Sequence, residues 1–151
     1  MKIENPFSKL NILIVTPVIL VMALDTFFTL FGQSESYWHN YNFFNEGSPL
    51  GQTLMLNPLY FISFMVVYII LILILITGLK KPFNIILGIG LFLGHSWGSA
   101  SWIPIIFYKL IGNYAINEWY LTISYFIIIS IVSGLCVNKW LKIKILSKDK
   151  I

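Results

Sequence analysis

The stretch Gly88-Ile-Gly-Leu-Phe-Leu-Gly-His-Ser-Trp-Gly-Ser-Ala-Ser-Trp102 decides how this chain is read. It lies inside an apolar run over residues 84–107, long enough to cross a bilayer as a helix. Glycines recur at 90, 94 and 98, and His95, Ser99 and Trp102 stand beside them at helical spacing. Small residues four apart let a second helix backbone approach closely, so Gly90, Gly94 and Gly98 predict a packing face for another helix of the chain, a second copy or a membrane partner. Gly94-His-Ser-Trp-Gly98 also satisfies the G-x-S-x-G pattern of serine hydrolases. That pattern works where a sharp strand-to-helix turn exposes the serine, and here it falls mid-helix with no strand before it. A hydrolase is set aside.

Working outward, three further apolar blocks cover residues 10–31, 57–79 and 119–138. The first would be about 33 Å long as a helix, with Pro17 placed to kink it. The second opens on Asn57-Pro58, a good helix start, and reads as almost featureless aliphatic surface from Tyr68 to Ile76. Four such blocks in 151 residues, at 58% hydrophobic and only 11% charged, are far from a soluble composition. The expected fold is all-α: a single domain over 1–151 forming a four-helix transmembrane bundle.

All ten basic residues are lysine. With both termini in the cytoplasm, the inner segments hold Lys2, Lys9, Lys80, Lys81 and the five lysines of the tail 139–151, while the outer segments hold only Lys109. The positive-inside rule therefore predicts cytoplasmic N and C termini in the plasma or inner membrane. Without arginine there is no bidentate phosphate clamp, so the net charge of +4 points to membrane lipids and not to nucleic acid. The first block is too long for a signal-peptide core and is expected to remain as an anchor. Cys136 is the lone cysteine and makes no internal disulfide.

The connection over 32–56 faces outward in this topology. It carries Tyr37, Trp38, Tyr41, Phe43 and Phe44, which suit the headgroup level, and a turn is expected at Asn45-Glu46-Gly47-Ser48-Pro49. Such aromatic density predicts a structured loop packed over the outer mouth of the bundle.

An ionisable side chain at bilayer depth is costly and marks a functional candidate. His95 stands about 16 Å into its block, and Asp25, the only carboxylate in any other apolar block, about 22 Å into the first, one helical turn apart in depth. Asp25 and Thr29 share a helix face. A carboxylate holding an imidazole binds a ligand or exchanges a proton with it, so Asp25 and His95 are the candidate acid and base. Around them the expected pocket draws on Thr29, Ser99, Trp102 and, if the loop folds inward, Glu46. Adding His39 to Asp25, Glu46 and His95 would give two imidazoles and two carboxylates, though no pair has a helical metal spacing. No metal and no cofactor is assigned.

An aspartate in the first helix and a histidine in the third of a four-helix chain resemble the EXPERA group of sterol isomerases and sterol-binding membrane proteins. That resemblance implies an acidic pocket between helices; the family's second-helix acid has no counterpart in 57–79. Leu24-Asp-Thr-Phe-Phe-Thr-Leu-Phe-Gly-Gln33 and Asn45-Glu-Gly-Ser-Pro-Leu-Gly51 look more like small uncharacterised prokaryotic four-helix integral membrane proteins, a resemblance that implies no activity. The leading expectation is a membrane protein binding a lipid or small amphiphile. The alternatives are an intramembrane acid-base enzyme, isomerase-like, and a structural subunit of a membrane complex.

Overall fold

The computed structural model describes residues 9–80, 82–112 and 116–148. The expected N-terminal tail before Lys9, Lys81 and the end of the basic tail at 149–151 lie outside the described residues. Within them the chain is all-helical, with no strand. Its helices are α1 (Lys9–Phe31), α2 (Glu35–His39), α3 (Pro49–Met55), α4 (Pro58–Gly78), α5 (Phe83–Ile111) and α6 (Glu118–Lys148), with a 3₁₀ turn at Tyr41–Phe43.

Each long helix begins or ends for a local reason. Asn57 caps α4 by accepting from Leu59 N–H, and Pro58 sits where no donor is needed. Asn117 accepts from Trp119 N–H at the start of α6. Gly112 closes α5 with φ +67°, a left-handed conformation that glycine adopts without strain. Two ends differ from expectation. The block expected to end at 107 runs on as α5, through Pro104, to Ile111. The tail expected from 139 continues α6 to Lys148, because residues 135–148 contain strong helix formers and no glycine or proline.

The long helices pack around a central pair. α1 and α5 lie against each other, and α4 and α6 each pack on both. Val21 of α1, Ala100 of α5, and Tyr125 and Ile129 of α6 form one buried cluster. Val18 and Met22 of α1 join Ile72 of α4 in another. Among the described residues, two helices are long and apolar enough to cross a membrane, Pro58–Gly78 and Glu118–Ile143. Only 22% and 11% of those windows are buried, so their apolar surface faces outward instead of forming a core. α1 contributes a shorter apolar segment, Val15–Phe31, and α5 has the length but carries His95, Ser96, Ser99 and Ser101 in its middle.

The connection between α1 and α4 is ordered and folds inward. Gln33, fully buried, donates to the carbonyls of Thr29 (2.9 Å) and Asn45 (3.0 Å) and accepts from Asn45 N–H (2.8 Å). Lys109 of α5 donates to the Gln33 carbonyl (2.9 Å) at the end of α1, where a cation suits the helix dipole. Tyr37 is buried against Met55, Phe61 and Met65, and its hydroxyl donates to the Met55 carbonyl at 3.0 Å. Beyond the expected turn, Ser48 accepts from Gly51 N–H and starts α3, a helix too short for periodicity to reveal.

Gln33→Ala leaves the Asn45 amide without its partner and is expected to cost about 1–3 kcal/mol; faster proteolysis and amide exchange at 45–48 would register it, and an unchanged exchange pattern would refute it. Burial, with Tyr41 nearby, pushes the Tyr37 phenol above its ordinary value of 10.0. Since the folded state holds this proton more tightly, the stability it confers is complete below pH 10.0 and falls as pH rises through the folded value. Alkaline loosening of the loop should therefore be less steep in Tyr37→Phe than in the wild type, as read by proteolysis across pH.

Candidate binding site

The site begins with two helices brought unusually close. At Gly98, any Cβ would lie 2.6 Å from Asp25 Oδ1 and 2.8 Å from Oδ2, so the bare backbone of α5 makes room for the carboxylate of α1. One turn earlier on α5, His95 Nδ1 meets Asp25 Oδ2 at 2.7 Å. The turn of depth estimated between the two residues is absorbed by their side chains, and they bond directly. The bond uses Oδ2 of the carboxylate and Nδ1 of the imidazole, and leaves Oδ1 and Nε2 without protein partners. This is the sole hydrogen bond of either side chain among the described residues. The pair is 18% and 20% exposed, open on one side.

The open side is a cavity of about 800 Å³ between α1, α4 and α5, roofed by residues of the inward-folded connection. Asp25, Thr26 and Thr29 line it from α1, and His95, Gly98 and Trp102 from α5. Phe61, Phe64, Met65 and Tyr68 line it from α4, and Asn45, Glu46 and Ser48 lie at the roof. The Tyr68 ring stands 6.2 Å from the His95 ring.

Of the six residues assigned to a pocket from sequence, five line this cavity: Asp25, Thr29, His95, Trp102 and Glu46. Glu46 is turned by its own loop, its Oε1 accepting from Ser48 N–H at 2.8 Å. Trp102 also packs where Gly32 leaves space, since a Cβ there would clash with the indole. Ser99 does not line the cavity. It is fully buried on the α6 side, donates to the His95 carbonyl at 2.7 Å and lies 2.5 Å from the Tyr125 hydroxyl. With its own proton spent on that carbonyl, Ser99 accepts from Tyr125.

Three further expectations are now placed. His39 is exposed and outside the cavity, so the four-residue cluster with Asp25, Glu46 and His95 does not assemble. Ser96, the serine of the G-x-S-x-G pattern, is buried without a hydrogen-bond partner, while the adjacent imidazole is committed to Asp25. The glycine face divides in two. Gly98 packs on α1, whereas a Cβ on Gly90 or Gly94 would meet nothing within 4 Å, and both glycines border the cavity. They bring no neighbour close within the described chain.

Sequence reasoning missed Gln33 and the α4 wall. Phe61, Phe64, Met65 and Tyr68 follow the i, i+3, i+4, i+7 rule, and that aromatic stripe in an otherwise aliphatic helix was the available signal. Compared with protein-family models, curated proteins and solved structures, the chain has no match.

The glycines offer a direct check on this geometry. Gly98→Ala is expected to separate Asp25 from His95 and lower the melting temperature, since a backbone-borne methyl cannot rotate away from the carboxylate. Gly90→Ala and Gly94→Ala, in open space, are expected to be neutral or stabilising by up to about 1 kcal/mol through helix propensity. Equal melting temperatures for Gly98→Ala and Gly94→Ala would refute the close approach.

Proposed function

We propose that this chain is a multi-pass protein of the plasma or inner membrane, a four-helix bundle built from α1, α4, α5 and α6 with both termini cytoplasmic. In this reading it binds a lipid or small amphiphile between α1, α4 and α5. The observation that carries the reading is the cavity of about 800 Å³ whose wall holds the bonded Asp25–His95 pair. Its size suits a small ligand, and it has the usual make-up of a binding pocket: mostly apolar lining with a few convergent polar groups. The lysine distribution, nine against one across the proposed membrane, supports the orientation. The outward apolar surfaces of α4 and α6 support the membrane setting.

A second reading has a specific observation in its favour. A carboxylate at 2.7 Å from an imidazole beside an open cavity is also the arrangement of an acid-base pair. In that reading Asp25 orients the ring and His95 Nε2 exchanges a proton with the bound molecule, the isomerase-like alternative. A third, that the face bearing Gly90 and Gly94 joins a partner subunit, draws on the open space at those positions.

Asp25→Asn and His95→Ala separate function from mere packing. An interhelical hydrogen bond in a membrane is worth about 0.6 and at most about 2 kcal/mol, so both variants should still fold and insert. Each is expected to lose most of the amphiphile that copurifies with the wild type, measured by mass spectrometry of the extracted protein. Variants with lowered melting temperature but an undiminished copurified lipid would reduce the pair to a structural contact and sink the binding reading.

A further inference from the structure

We propose that the cavity takes one single-chain amphiphile with an uncharged, hydroxyl-bearing head, whose chain lies along the Gly90–Gly94 face and leaves sideways between α4 and α5. This rests on the binding reading above and names its ligand class.

The direction of the ligand follows from the order of groups along the cavity. At the roof stand Asn45, Glu46 and Ser48; one level down are Asp25 and His95, with the Tyr68 ring beside His95; at the far end are Gly90 and Leu91. The helix directions keep that order in space. Lys109 near the end of α5 reaches the end of α1, and Ile76 near the end of α4 stands 3.9 Å from the Cβ position of Gly88 near the start of α5. The charged and amide side chains of the wall thus lie at the loop end and the middle, among apolar neighbours such as Leu50, Phe61 and Trp102, and none lies at the far end, where an amphiphile's chain can rest.

The head must suit acceptors. The charged groups on the wall are the carboxylates of Asp25 and Glu46, and no lysine lines the cavity. Lys109, the described lysine nearest the roof, is held by the Gln33 carbonyl. A phosphate or carboxylate head would face two carboxylates with no lysine on the wall to offset them. A hydroxyl, donor and acceptor at once, suits both Asp25 Oδ1 and His95 Nε2, which are left without protein partners.

Size suits a single chain. At about 30 Å³ per water-sized group, about 800 Å³ accommodates on the order of 25 non-hydrogen atoms, enough for a compact head and one chain. The exit is written in the glycines. Gly90 and Gly94 are exposed, with nothing within 4 Å of their Cβ positions, and the open stretch stops at Gly98, where Asp25 closes it. A chain passing there meets bare helix backbone on one side and Phe64 and Tyr68 of α4 on the other.

The test uses the full chain in phosphatidylcholine nanodiscs loaded with monooleoylglycerol or with oleate, and reads the bound fraction by native mass spectrometry. Wild type is expected to carry monooleoylglycerol and to carry oleate at least about tenfold less. Gly94→Leu is expected to reduce bound monooleoylglycerol by a similar factor, because its side chain enters the slot. Gly134→Ala, on α6 outside the cavity and with nothing within 4 Å of its Cβ position, should retain the ligand and serves as the control. Monooleoylglycerol bound equally by wild type and Gly94→Leu overturns the sideways exit, and oleate bound as well as monooleoylglycerol overturns the head assignment. A shift of Gly94→Leu from dimer to monomer with ligand unchanged would assign the face to a second helix instead. Wild type that carries neither probe and no copurified lipid fails at the binding reading itself, a result distinct from the other three.

Discussion

The structure depends on one contact, the Asp25 carboxylate of α1 seated against the bare backbone of Gly98 and bonded to His95 on α5. A carboxylate in apolar surroundings is tolerable when it finds a hydrogen-bond donor. The donor must come from a neighbouring helix, and the approach demands a residue with no Cβ at the crossing. Gly98 and His95 meet these two conditions from one turn of α5. The same turn supplies two more contacts. Ser99 accepts from Tyr125 of α6 on the opposite side, and Trp102 fills the space left at Gly32. Residues 95–102 therefore fix α5 against α1 and α6 at a single level.

The cavity follows from this arrangement together with the loop. α5 is held to α1 at Gly98, while α4 packs on α1 through Ile72 and, at its loop end, supports Tyr37 and Met55. Between these holds, α4 and α5 leave open space beside the Asp25–His95 pair. Gln33 and Lys109 draw the connection over that space without lending their own side chains to its wall. Because Gln33 meets its hydrogen-bonding needs within the chain, the roof is shaped by backbone contacts, and Glu46 reaches the cavity as a consequence.

The helices were legible because length and apolar runs report them directly, and the Asp25–His95 pair was legible because an ionisable group in such a run needs a reason. Other features were hidden by physics that a linear pattern does not carry. Glycines 90, 94 and 98 are identical in sequence terms, and only the path of the neighbouring chain makes one a contact and two an opening. Ser99 follows His95 by four residues, about 40° around the helix, and that small rotation takes it from the cavity edge to α6. Gln33 reads as a loop residue until its partner Asn45, twelve residues on, is known to fold back. The lysine tail read as a tail because charge was weighed above helix propensity, and α6 runs through it.

The polar groups of this chain divide by how they are satisfied, and the division favours a site over a strut. Thr16, Thr26, Thr77 and Ser99 each return a proton to the carbonyl four residues back, and Ser101 to the carbonyl of Gly98. Self-satisfaction of this kind is how hydroxyls sit in an apolar medium without seeking partners. Ser96 and Ser133 are buried exceptions, and neither borders the cavity. Asp25 and His95 behave differently: each spends one polar atom on the other and keeps a second in reserve. A contact serving packing alone has no use for that reserve, and a closed crossing would have hidden it. Here both residues border the same open space, where a bound molecule can meet the pair.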